Sequence, residues 1–269
     1  MEKLYLKFFS LIAFSLSFYA CGYKDTAGGI SEETEGIYAI VDKTIEGVSQ
    51  KGPFVTGSSI VLQETKKDGS LAPTGREFFA TTRTNKGDFQ IDNIDLESQY
   101  VRLTATGYYK REATGKNSEC QINLRAISNV KDRDKVNINI LTHLEYDYIL
   151  YYVRNGKTFS EAKKQAQYDV LKIFGFESLT EDAEDLDINS NSEADKALEK
   201  ISSFIDEKAY SCDYFIHQYT VNHRTYCRAF DEDPVEFCTN VQLFIDNFNK
   251  LYAIDESLQG HIHWKFFEE

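Results

Sequence analysis

Tyr100-Val101-Arg102-Leu103-Thr104-Ala105 alternates strictly, with Val101, Leu103 and Ala105 on one face and Tyr100, Arg102 and Thr104 on the other. A period of two belongs to a strand with one buried face. Working outward, Gln121 to Ala126 repeats the pattern through Ile122 and Leu124. Upstream, the β-branched run Ser58 to Thr65 ends in Lys66-Lys67-Asp68-Gly69, and Asp-Gly favours a tight turn with positive φ. Arg76 to Thr84 continues as a strand, and Asn85-Lys86-Gly87-Asp88 interrupts it before Phe89-Gln90-Ile91. Short strands between turn signals predict a small antiparallel sandwich over residues 45–128.

Past Asn137 the period becomes helical. Leu141, Leu144, Tyr148 and Tyr151-Tyr152 form one apolar stripe that ends at Asn155-Gly156. Thr158-Phe159-Ser160-Glu161 has the form of a capping box, Ala162, Ala166, Val170, Ile173 and Phe174 make the next stripe, and Gly175 suits a C-terminal cap. Ser192 to Asp195 opens a third helix with Ala197, Leu198, Ile201, Phe204 and Ile205 inward. A fourth starts near Val235 and passes through Val241, Phe244, Ile245, Phe248, Leu251 and Tyr252. Strands first and helices afterwards predict an α+β class: an N-terminal antiparallel β-sandwich, then an α-helical domain over 129–269.

The chain has 269 residues and a net charge of −13, an acidic balance that argues against nucleic acid as a partner. Lys3 and Lys7 precede the uncharged run Phe8 to Ala20, which is shorter than the ~20 residues of a spanning helix. Ala20 before Cys21 completes the pattern of an export signal over 1–21. Residues 22–44, with Gly28-Gly29 and Glu32, Glu33 and Glu35, have no hydrophobic periodicity and read as a flexible tether.

Small-residue–Cys at the end of a signal resembles the bacterial lipoprotein type, which implies acylation of Cys21 and membrane attachment through it. Phe18 and Tyr19 depart from that pattern. Thr84-Asn85-Lys86-Gly87-Asp88-Phe89 and Tyr100 to Tyr108, with Gly47-Val48, resemble the carboxypeptidase regulatory-like, transthyretin-like sandwich. In that family the Gly makes a hairpin turn, the Phe enters the core and the closing Gly-Tyr ends a central strand. A longer resemblance covers roughly 45–205. Gly47 to Phe54, Gly107-Tyr108-Tyr109, Asn137 to Glu145 and Glu161 to Ala166 are similar to a paralogous surface-lipoprotein family of cellulose-degrading gut bacteria. It implies an outer-membrane or cell-surface location in the cell envelope and supplies no site residues.

Asp185-Leu186-Asp187-Ile188-Asn189 begins like a calcium loop, but Ser190 stands at the sixth position and Lys196 at the twelfth, where a bidentate Glu is needed. The bland reading is an acidic helix-capping loop. Cys120, Cys212, Cys227 and Cys238 contain no CxxC, and in an exported chain they read as candidate disulfide partners with three connectivities open. His261-Ile262-His263 lacks a third ligand, and His143 reads as a packing residue. No Gly-x-Ser-x-Gly, P-loop or His-Glu-x-x-His is present. No catalytic residue, metal or cofactor is therefore expected, and no role is assigned to 206–269. The doublets Phe78-Phe79, Tyr108-Tyr109 and Tyr151-Tyr152, with Trp264 and Phe266-Phe267, offer the one ligand cue, since a strand must turn one member of a doublet outward.

The expected role is non-enzymatic binding or display, with polysaccharide or a surface protein as partner. Two alternatives stand beside it: an exported glycan-active enzyme, for which a cleft with two carboxylates of unequal environment would speak, and a structural subunit of a surface complex.

Overall fold

Among the described residues the elements run in the order β1 (Ile40–Gln50), β2 (Ser59–Thr65), β3 (Pro73–Thr81), β4 (Asp88–Leu96), β5 (Tyr100–Gly107), β6 (Ile122–Asn129), β7 (Ile138–Asn139), α1 (Ile140–Arg154), α2 (Phe159–Ile173) and α3 (Glu193–Tyr210), and residues 241–246 are helical as well. The computed structural model describes residues 36–112, 114–210, 241–246 and 248, with the side chains of 207–210 excepted. These residues lie within one compact unit spanning Ser31–Glu269. The class is mixed α and β.

The strands make two sheets, ordered β3-β2-β5-β6 and β4-β1-β7. Every pairing is antiparallel except β1 with β7, which is parallel. That pair departs from the wholly antiparallel arrangement predicted. The chain leaves β6 in one sheet and enters the other as β7, where Ser49 faces Ile138 and Gln50 faces Asn139. β1 begins at Ile40, inside the stretch read as tether, and β4 runs on to Leu96.

The alternation of β5 has the predicted register, with Leu103 between Leu62 of β2 and Ala126 of β6. Its polar face is only partly open. Tyr100 is 3% exposed because the Phe159 ring of α2 lies 4.9 Å from its own. Arg102 and Arg125 stack on Tyr146 of α1, at 5.7 and 4.3 Å. Helices thus cover the β5–β6 part of this face and leave the β3–β2 part to solvent. Inward residues of both sheets and of α1, α2 and α3 join one hydrophobic core.

Local chemistry sets the helix ends. Asn139 caps α1: its Oδ1 accepts from Thr142 N at 3.0 Å, and Thr142 Oγ1 accepts from Asn139 N at 2.9 Å. The predicted box at Thr158 and Glu161 opens α2, and Gly175 follows it at φ +74°. Asn137 joins three segments, accepting from Val48 N at 3.0 Å and donating to the Leu186 carbonyl at 3.0 Å. Val241, Phe244, Ile245 and Phe248 are buried, as their stripe predicts, with Phe248 stacked on Phe174 at 5.6 Å. Leu251 and Tyr252 lie outside the described residues.

Candidate functional site

The apolar stripe of α1 carries a carboxylate and that of α2 an amine. Glu145 lies four residues after Leu141 and Lys163 four after Phe159, so both side chains point into the protein. Lys163 Nζ contacts Glu184 Oε2, from a 3-10 turn at Ala183–Asp185, and stands 3.8 Å from Glu145 Oε2. Ser128 Oγ donates to the other oxygen of Glu184 at 2.6 Å. Arg133 bonds Asp182 at 2.6 Å and also Asp185. The cluster borders a recess of about 310 Å³, whose lining includes Lys163, Glu184, Arg133, Asp182, Lys164 and Ser160.

The two glutamates differ in charge. Burial pushes the Glu145 carboxyl up to about 8, against the pull of Lys163. That value favours the protonated form at neutral pH and weakens the pull between Glu145 and Lys163. Burial also works against an ionised Glu184, yet Lys163 and Arg133 outweigh it and hold that carboxyl below its ordinary value. Lys163 is opposed by burial but raised on balance by Glu184 and then Glu145.

Two carboxylates of unequal environment are the feature an acid–base enzyme would need. The side chains of Glu145 and Glu184 are 0% and 2% exposed, and Glu184 lines the recess. Glu184's oxygens are taken by Lys163 and Ser128. The cluster is built to join α1, α2, β6 and the 3-10 turn.

Glu145 gives the protein a specific pH dependence. Its folded-state value lies above the ordinary 4.5, so between pH 4.5 and about 8 the folded chain holds a proton that the unfolded chain has released. This group's contribution is complete below pH 4.5 and is lost as pH rises to 8, at up to ~1.4 kcal/mol per pH unit. Glu145→Gln keeps the shape without the titration. The variant is expected to gain on the native protein in urea unfolding from pH 5 to 8.5, and parallel curves would contradict this assignment.

The residues singled out by sequence are dispersed. In the calcium-like loop Asp185 pairs with Arg133, while Asp187 Oδ1 accepts from Gln50 Nε2 at 2.6 Å and from Asn189 N at 2.8 Å. Ser192 and Asp195 cap α3 reciprocally, with Asp195 N donating to Ser192 Oγ at 3.0 Å. Among the described residues no group of three or more His, Cys, Asp or Glu is placed to hold a metal. His143 is buried, 3.3 Å from Asp246, and burial lowers its pKa despite that carboxylate. Cys120 is half-buried, while Cys21, Cys212, Cys227, Cys238, His261, His263, Trp264, Phe266 and Phe267 lie outside the described residues.

Of the aromatic doublets only Phe78-Phe79 lies within a strand; Tyr108-Tyr109 follows β5, and Tyr151-Tyr152 lies on α1, where the strand argument does not apply. Phe79 is 68% exposed while Phe78 packs against the core under Arg76, and Tyr108 is exposed while Tyr109 is buried. Phe79 stands on the edge strand β3, beside Val61 of β2 and in line with Thr104 of β5. The next row toward the strand end carries Thr81, Ser59, Thr106 and Asn123. This uncovered β3–β2 surface is the open candidate site.

Comparison with protein-family models, curated proteins and solved structures finds no match for the chain. Among the described residues no helix is long and apolar enough to cross a membrane.

Proposed function

We propose that the chain is an exported, lipid-anchored cell-surface protein that binds or displays, with polysaccharide as its ligand class. The observation that carries this reading is Phe79, a large ring turned to solvent on a sheet edge, with Val61 beside it and the hydroxyls of Thr81 and Ser59 in the next row. A flat apolar ring accepts the C–H face of a sugar, and neighbouring Ser and Thr hydroxyls can both donate hydrogen bonds to a sugar's hydroxyls and accept them. The export pattern of residues 1–21 and the lipoprotein-type Cys21 support a surface location.

On this reading residues 45–128 are a transthyretin-like sandwich followed by a helical part, within the surface-lipoprotein family named above. Three features support it. Gly87 turns at φ +82°, Phe89 is fully buried, and β5, an inner strand of its sheet, ends at Gly107. The purified protein is expected to be retained on insoluble cellulose or mixed plant cell-wall polysaccharides, with retention that survives raised salt. Release by salt would mark charge adsorption, and absence of retention on every polymer would turn the search to a protein partner.

A further inference from the structure

Lys51, directly after β1, has no exposed side-chain surface. Its Nζ lies 2.8 Å from Asp206 Oδ1 on α3 and 3.4 Å from Glu112 Oε2 in the loop after β5. It also donates to the Ser202 carbonyl at 2.9 Å. Glu112 Oε1 accepts from Gly52 N at 3.0 Å and from the Ser202 hydroxyl. The Tyr109 ring lies 5.5 Å from the amine. Asp206 is 2% exposed, and among the described residues no hydrogen-bond donor competes with Lys51 for its oxygens. An amine, the carboxyl it touches and a second carboxyl beside the amine meet here away from water.

These are the components of an amide condensation. We propose that Lys51 and Asp206 join in an intramolecular isopeptide bond, with Glu112 carrying the proton. In the first step the ammonium proton passes to Asp206 across the 2.8 Å contact, giving a neutral amine and a neutral acid. The Nζ lone pair attacks Cγ of Asp206, the C–N bond forms, and a tetrahedral centre results. Glu112 takes a proton from the nitrogen and returns it to the departing hydroxyl, the C–O bond breaks, and water leaves. One ammonium and one carboxylate become one amide and one water, Glu112 is regenerated, and no co-reactant is consumed. Burial raises the Glu112 carboxyl above its ordinary range, against Lys51 and with Asp206, which makes its carboxylate a stronger base for the nitrogen's proton. Fixed positioning replaces the concentration that such a reaction lacks in solution.

The bond would tie the end of β1 to α3, a covalent fastening suited to a chain exposed outside the cell, and it is independent of the polysaccharide reading. Mass spectrometry of the reduced full chain tests it. The native protein is expected to be lighter by one water than its sequence, allowing for N-terminal processing, and its proteolytic map to contain one linked pair of peptides carrying Lys51 and Asp206. Recovery of both residues in separate, unmodified peptides would overturn the proposal, and that measurement needs no variant. Glu112→Gln keeps the hydrogen-bonding shape without the proton relay and is expected to lose the linked pair. A linked pair of native abundance in that variant would overturn the role of Glu112.

Discussion

Lys163→Met is expected to destabilise the protein by about 3–5 kcal/mol, the range for stripping one partner from a buried ion pair. The ammonium sits between Glu184, which it contacts, and Glu145, and removing it leaves the Glu184 carboxylate 2% exposed with only Ser128 and the field of Arg133 to hold it. Methionine fills the volume of the stem, so most of the cost is electrostatic. A Lys163→Met/Glu184→Gln double variant is expected to recover much of the loss, because the charge left without a partner is gone. Urea unfolding of the native protein and both variants measures this. A single-variant loss below ~1 kcal/mol would place the pair in the range of solvated surface bridges and contradict its burial.

Gly47→Ala is expected to be the second large effect, about 3 kcal/mol at the upper end of overpacking costs. A Cβ at Gly47 would lie 2.0 Å from the Val136 carbonyl oxygen and 3.0 Å from the Phe89 ring. The oxygen belongs to the backbone leading into β7, held by the Val136 N to Glu46 O bond at 2.8 Å, so it has no rotamer by which to yield. Relief requires β1 and the chain before β7 to separate, breaking the parallel pair of Ser49 with Ile138. Gly47 adopts no positive φ, so the penalty is close approach alone. Thermal unfolding gives the measurement, and a native-like midpoint would mean that the β1–β7 contact is slack.

Local signals were legible in the sequence. The alternation at Tyr100 to Ala105 placed β5, Thr158 and Glu161 placed the start of α2, and the stripes of α2 and α3 picked out residues that are buried. What escaped depends on distant partners. Tyr100 lies on the polar face of its strand, and only the approach of Phe159 buries it. β7 is two residues long, too short to carry a period, and Asn137 and Asn139 fix it through contacts to β1 and to the turn at 183–186. Glu145 and Lys163 occupied stripe positions in plain view. A charge within an apolar stripe signals a buried partner, but the sequence does not say that Glu145 and Glu184 share Lys163. Lys51, Glu112 and Asp206 had no such signal, being brought together from separations of 61 and 94 residues.

Surface binding through the uncovered β3–β2 face is tested most directly by Phe79→Ala in the polysaccharide retention assay, with Lys164→Ala at the recess as control. Neither residue belongs to the core, so both variants should unfold as the native protein does. The account predicts that Phe79→Ala abolishes salt-resistant retention while Lys164→Ala leaves it intact. Full retention by Phe79→Ala, or its loss in Lys164→Ala alone, would contradict the account and move the binding site from the sheet to the recess.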